Sequence, residues 1–242
     1  MRERDSRTSM LYWYPKIKDL DIHQPRTEII PAQVVSEEDW ISFIDTGKPC
    51  FDLERVKRAC REIGYPVFVR TDQASGKHDW KNTCFIESQD KLVGNLRRIV
   101  EFSFMADILG LSIQAIVVRQ YIPMVNLFTA FYGDLPINPE IRCFIEAGLV
   151  RCWHWYWIKE AIAESKPPSV KNWERILAMT QRTLRTTDLE EVLVGAKKVA
   201  DRFTDDGYWS VDFCKSQAGP WILIDMAEGE RSWHDSTCIK ED

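Results

Sequence analysis

With 242 residues, 45% of them apolar and 29% charged, the chain is long enough for one large domain or two small lobes with real cores. Its formal net charge of −5 excludes a whole-molecule field that attracts nucleic acid. Its seven cysteines contain no CxxC pair, which argues against a compact zinc knuckle or a disulfide framework and for reduced core residues of a cytosolic protein. No apolar run follows the charged start MRERDSR and no stretch is long enough to span a membrane, so a cytoplasmic location is expected. Ten tryptophans fill a core or form a binding surface, and composition does not choose between these.

The first ten residues are polar and read as a frayed end, and the aromatic-rich Met10 to Pro15 reads as a first strand. Pro25 and Pro31 bracket a short strand. Ser36, followed by three acids, caps a helix, and a second helix runs from about Asp52 to Ile63, where Gly64 stops it. YPVFVR at 65–70 is a buried-type strand, followed by the polar loop TDQASGKHDW. Gln89 to Leu109 has helical apolar spacing ended by Gly110, and Ala115 to Ile122 is a strand ended by Pro123. Ile141 to Ile145 and Leu149 to Trp157 form a pair turning at Gly148. Helices at about 170–185 and 189–203 precede a hairpin of Trp209 to Phe213 and Trp221 to Asp225, joined by Gly219-Pro220. The order is α+β with antiparallel pairs, not a βαβ repeat.

Four elements carry chemistry. Arg70 ends an apolar strand. In Ser75-Gly76-Lys77 the glycine permits close backbone approach and the lysine adds charge, as an anionic triphosphate requires; the same composition also makes an ordinary surface loop. In Glu140-Ile141-Arg142 the two charges share a strand face, so they pair with each other or the arginine reaches a phosphate. Asp212 and Asp225 sit one on each hairpin strand; they either face solvent or hold a divalent cation between them.

In that order, VFVRTDQASGKHDW, VVRQYI, Glu140-Ile141-Arg142 and VDFCKSQAGPWILIDMA resemble the ATP-grasp superfamily over roughly Pro66 to Glu228. The local match is to ligases of the ribosomal S6 modification type, and VFVRTDQASGKHDW also looks like the clade, common in phages and bacteria, in which arginine replaces the usual strand lysine. The acidic-x-Arg strand and the two-aspartate hairpin are also similar to the cell-division-cycle 123 family of assembly proteins. The resemblance implies a two-lobed ATP-grasp fold with mixed, largely antiparallel sheets and a nucleotide cleft between lobes. It implies an entry region at 1–50, an N-terminal lobe at 51–118 and a C-terminal lobe at 119–242.

By position in the family, Arg70 takes the strand-lysine role on the ATP phosphates, a sound swap because arginine is always charged and bidentate. Lys77 lies in the loop that closes over them. Val118, Arg119, Gln120, Tyr121 and Ile122 form the linker that reads adenine. Arg142 contacts the γ-phosphate, and Arg142 and Lys77 are the candidate catalytic residues. Asp212 and Asp225 hold Mg²⁺. Where the family has an asparagine two residues after the second acid, this chain has Ala227; Glu228 is adjacent, but strand alternation turns it to the opposite face unless the chain bends. His154 and Lys159 stand where the family has basic residues near phosphate or acceptor, and Trp153, Trp155 and Trp157 alternate along the same segment.

The expected activity is an ATP- and Mg²⁺-dependent carboxylate–amine ligase acting through an acyl-phosphate, with unidentified carboxylate and nucleophile substrates, a protein or peptide among them. The alternative is an ATP-Mg²⁺-binding assembly factor or protein-interaction module of the cell-division-cycle 123 type. Nucleic-acid and membrane partners are not expected.

Overall fold

The computed structural model describes residues 7–32, 36–107, 113–164, 166, 168–236 and 238–240. It divides into two compact units: Met1–Trp13, Pro25–Tyr121 and Tyr132–Leu135 form the first, and Tyr14–Gln24, Ile122–Phe131 and Pro136–Asp242 the second.

Helix α1, Met10–Ile17, corrects the first expectation. Aromatic richness suggests a strand there, but Met10, Trp13 and Ile17 recur at helical spacing and are all fully buried. The proposed fraying concerns residues of which 1–6 lie outside the described set.

The first unit carries β1 (Thr27–Pro31), α2 (Glu37–Thr46), α3 (Leu53–Ile63), β2 (Val67–Thr71), β3 (Phe85–Ile86), α4 (Leu92–Asp107) and β4 (Ala115–Gln120). Its sheet has the order β1-β4-β2-β3, with antiparallel neighbours. Ser36 makes a capping box with Asp39 at the start of α2, and the Asp52 carboxylate caps α3 by accepting from Arg55 N. Leu92, Leu96, Ile99 and Val100 of α4 join Val67, Val69, Ile116 and Val118 in one core. Each large side chain so buried contributes about 1.5–3 kcal/mol. The helical core therefore claims one face of the sheet. Alternation leaves Phe68, Arg70, Val117 and Arg119 on the other. The expected stop of α4 at Gly110 lies outside the described residues.

The second unit contains β7 (Glu140–Glu146), β8 (Leu149–Trp155), α5 (Lys159–Ala163), α6 (Trp173–Arg182), α7 (Thr186–Arg202), β9 (Tyr208–Lys215), β10 (Trp221–Glu228) and β11 (Ile239–Lys240). A short two-stranded sheet pairs β5 (Phe128–Ala130) with β6 (Leu135–Ile137). The main sheet runs β10-β9-β7-β8-β11, again antiparallel throughout. The two carboxylate-bearing strands extend beyond their expected bounds, and β7 and β8 turn at Ala147-Gly148.

The N-terminus of α7 is tied to the hairpin by Asp188. Its carboxylate accepts from Arg185 Nε at 2.7 Å, Lys215 Nζ at 2.6 Å and Trp221 Nε1 at 3.1 Å. Arg185 first, against the opposing effect of burial, and then Lys215 and Trp221 hold this carboxyl well below the usual carboxylate range. Among the described residues, no helix is long and apolar enough to cross a membrane.

Candidate functional site

In the second unit the register across four strands lines up the chemistry. Asp225 of β10 is opposite Asp212 of β9, Asp212 is opposite Arg142 of β7, and Arg142 is opposite His154 of β8. Directly opposed residues share a sheet face, so these four side chains form one transverse row. The row depends on a register shift between Leu223 and Asp225. Leu223 pairs with Phe213, so a regular ladder would set Ile224 opposite Asp212 and turn Asp225 to the other face. The extra residue of a β-bulge brings the second carboxylate round.

Arg142 binds Asp212 through two parallel hydrogen bonds, Nε to Oδ1 at 2.7 Å and Nη2 to Oδ2 at 2.8 Å. Both side chains are nearly buried, at 11% and 7% exposure. The Arg142 guanidinium also lies 4.6 Å from the Tyr156 ring centroid and donates through Nη1 to the Trp233 carbonyl at 3.3 Å. Burial disfavours its charge, but Asp212 outweighs that, so the Arg142 pKa is raised further. Arg142 thus pairs with Asp212 across the sheet. Asp225 Oδ1 accepts from Met226 N at 3.0 Å.

Glu228 is not brought into this row. It is opposite Trp209, on the other face from Asp225, and its carboxylate pairs with Arg231 at 3.2 Å. Ala227 is on the aspartate face, opposite Ser210, and offers no side-chain ligand.

His154 ends the row and is 5% exposed. The Trp155 carbonyl accepts from its Nδ1 at 2.8 Å, which leaves Nε2 as the lone-pair nitrogen; that atom is buried and has no hydrogen-bond partner among the described residues. Burial first, and the Arg142 charge as well, lower the His154 pKa against the Trp155 bond. The folded ring therefore holds a proton less readily than a free imidazole. The unfolded chain binds the extra proton, so stability is full above about pH 6.5 and falls as pH drops below it. Urea midpoints between about pH 7.5 and about pH 5.5 are expected to fall with acid, by less than about 1.4 kcal/mol per pH unit from this one proton. The His154→Gln variant should show a shallower dependence; an unchanged slope assigns the effect elsewhere. His154 also lines a cavity of about 360 Å³ with Trp153, Trp155, Trp157 and Lys159, so the tryptophan run forms part of a pocket wall.

In the first unit, Arg70 is opposite Val117 and Arg119 opposite Phe68, so both arginines share the sheet face away from the helical core. Both are buried. Arg70 Nε donates to the Thr71 carbonyl at 3.1 Å and Arg119 Nε to Thr27 Oγ1 at 3.2 Å. Val118 points into the core, so only its backbone is open to a ligand role. Gln120 accepts from Arg26 N at 3.4 Å, and Tyr121 packs edge-on against Phe85 at 4.9 Å. Tyr121 and Ile122 lie beyond the last ladder position of β4, and Ile122 begins a segment of the second unit. Lys77 sits in a turn whose Gly76 carbonyl accepts from Thr83 Oγ1 at 2.8 Å.

The model of the ATP-grasp domain, R2K clade family 3, matches residues 60–241. The chain belongs to this ATP-grasp family. The fold agrees: D-alanine–D-alanine ligase from Bacillus anthracis complexed with ATP is similar at 12% identity, over 91% of this chain and 54% of that one, with a TM-score of 0.50. A second structure of that ligase gives 11% identity over 92% and 56%, with a TM-score of 0.51. N5-carboxyaminoimidazole synthetase from Staphylococcus aureus gives 11% identity over 95% and 45%, with a TM-score of 0.50. The ATP-grasp chain thus spans about half the length of these solved structures. No curated protein matches it. The expected α+β ATP-grasp architecture and the arginine clade are both borne out.

Sequence reasoning missed what covers the row in this ATP-grasp domain. Tyr156 lies against Arg142, Trp233 supplies its carbonyl, and His234 stacks on Phe144 at 4.0 Å. Which strand the segment carrying Ser232, Trp233 and His234 returns to depends on the pairing of β11 with β8.

Proposed function

We propose that this domain is an ATP- and Mg²⁺-dependent ligase that joins a carboxylate to an amine or related nucleophile. The observation that carries the reading is the row Asp225, Asp212, Arg142 on one sheet face in a chain of the ATP-grasp family.

The donor set fits Mg²⁺. Two carboxylates on one face offer hard oxygens, and a buried arginine lies beside them for the phosphate. Asp212 and Asp225 would hold the cation, which would supply neutralisation of the charge on the phosphates. Glu228, paired with Arg231 on the other face, is not assigned to that set. Arg142 takes the transferred phosphoryl group: its Nη1 bond to Trp233 is the longest of its three and is the one a phosphate oxygen replaces. Arg70 and Lys77 are assigned to the remaining phosphates. The backbone of Val118, Arg119, Gln120, Tyr121 and Ile122 is assigned to the adenine edge.

In the reaction, a substrate carboxylate oxygen attacks the γ-phosphorus and ADP leaves with the bond electrons. The resulting acyl-phosphate is attacked at its carbonyl carbon by the amine. Inorganic phosphate departs, and the amine proton is lost to a base. The lone-pair Nε2 of His154, in the same row, is assigned to accept it.

Incubation with ATP, Mg²⁺, pooled carboxylic acids and hydroxylamine tests this. Equal yields of ADP and hydroxamate are expected, because hydroxylamine intercepts an acyl-phosphate. AMP with pyrophosphate would overturn the reading. A second reading, nucleotide binding without turnover in an assembly factor, is favoured by Ala227 at the usual asparagine position. It predicts saturable Mg²⁺–ATP binding and no ADP with any pool.

A further inference from the structure

Cys152, His234 and Cys238 converge outside the row just described. One ligand atom from each lies within 4.8 Å of the other two. Cys152 Sγ is 3.2 Å from His234 Nε2. Zn–S bonds of about 2.3 Å and Zn–N bonds of about 2.0–2.1 Å in a tetrahedron require ligand atoms about 3.5–3.8 Å apart, so the three need move only by fractions of an ångström to about one ångström.

We propose that Cys152, His234 and Cys238 bind a zinc ion that clasps the C-terminal segment to the main sheet. Two thiols and one imidazole are a soft set that selects Zn²⁺ over the hard Mg²⁺ assigned to the aspartates. The histidine is already oriented for it. Its Nδ1 lies 3.0 Å from Tyr208 Oη, so that partner fixes the ring and leaves Nε2 for the metal. Cys152 is buried on β8, a strand bonded on both sides, which gives a rigid anchor. A cavity of about 690 Å³ borders the cluster and is lined also by Asp235, which gives the fourth position room for water or that carboxylate.

The clasp has a structural consequence. Among the described residues β11 pairs with β8 at Ile239–Trp153 and Lys240–Cys152. Such a short ladder holds little by itself. The same segment carries the Trp233 carbonyl that accepts from Arg142. A metal linking Cys152 to His234 and Cys238 fastens that carbonyl's segment to the sheet. The proposal does not rest on the nucleotide reading and uses none of its residues.

The test is metal analysis of the full chain, expressed without a histidine tag and purified without chelator, followed by Co²⁺ titration of the reduced metal-free protein. About one zinc per chain is expected, with a thiolate-to-cobalt charge-transfer band of two-thiolate intensity and tetrahedral visible bands. Cys238→Ser and His234→Ala should lower zinc to background with unchanged far-ultraviolet circular dichroism, and Cys50→Ser should leave it intact. Tyr208→Phe should keep the site but weaken it about 10–100-fold. The wild-type cobalt spectrum decides the matter even where a variant fails to fold. A folded, reduced wild type that takes up neither metal overturns the proposal. So does zinc that survives loss of both cysteines, or a Cys152–Cys238 disulfide in place of metal.

Discussion

Replacing Arg142 with alanine is expected to lower the unfolding free energy by about 3–5 kcal/mol, read by urea denaturation. The guanidinium fills both oxygens of a nearly buried Asp212, so its loss leaves an uncompensated charge in the sheet. Removing both charges should behave differently. An Arg142→Met/Asp212→Leu protein is expected near wild-type stability, since well-packed apolar residues often replace a buried pair without loss. A double-mutant cycle on these variants isolates the coupling. In turnover, Arg142→Ala should cost about 10²–10³-fold, the usual cost of one preorganised charge-stabilising donor. If the single variant is as stable as wild type, the ion pair does not organise the row. A stable but inactive Arg142→Met/Asp212→Leu protein would separate the stabilising role of the pair from its chemical one.

Gly229→Ala should destabilise through a steric collision at the other end of the same sheet. A Cβ there would sit 2.1 Å from Tyr208 Cδ1 and 2.4 Å from Cε1. The ring has no easy retreat, because it stacks on Phe144 at 5.3 Å and its hydroxyl lies 3.0 Å from His234 Nδ1. Overpacking of this kind costs about 1–3 kcal/mol, and more where the neighbour is pinned. The damage should concentrate in the segment after β10, seen as faster proteolysis between residues 229 and 240. Gly94→Ala provides the contrast: it is exposed on α4 with nothing near its Cβ position, and should stabilise by about 0.5–1 kcal/mol. Equal melting temperatures for Gly229→Ala and wild type would mean that Tyr208 moves aside without cost.

The elements whose ends carry local signals were legible. Ser36 with its acids, Asp52 and Gly64 mark α2 and α3, and Pro31 closes β1, because caps and proline act over only a few residues. The opposed aspartates were half legible. Each could be placed on a hairpin strand, but their common face depends on one extra residue at Ile224, and a bulge leaves no fixed mark in composition. Arg142 was legible as a charge on an apolar strand; its partner was not, because β9 lies some seventy positions on and only sheet order decides which strand adjoins β7. The meeting of Cys152, His234 and Cys238 was hidden for the same reason. Seven cysteines judged by their nearest neighbours show no ligand spacing, whereas Cys152 meets His234 and Cys238 only because β11 returns to β8. Met10 to Pro15 was misread as a strand because aromatic residues favour strands on average, whereas tertiary burial of a helical stripe prevails here.

The central claim, that Asp212 and Asp225 form a cation-dependent nucleotide site with Arg142, is tested most directly by calorimetric titration of ATP. Wild type and an Asp212→Asn/Asp225→Asn variant are compared, each with and without Mg²⁺. Saturable binding by wild type that requires Mg²⁺ and falls at least about 100-fold in a variant of unchanged circular dichroism is the predicted result. Magnesium-independent binding, or equal affinity in the folded variant, would contradict it and return the two aspartates to structural roles in the sheet.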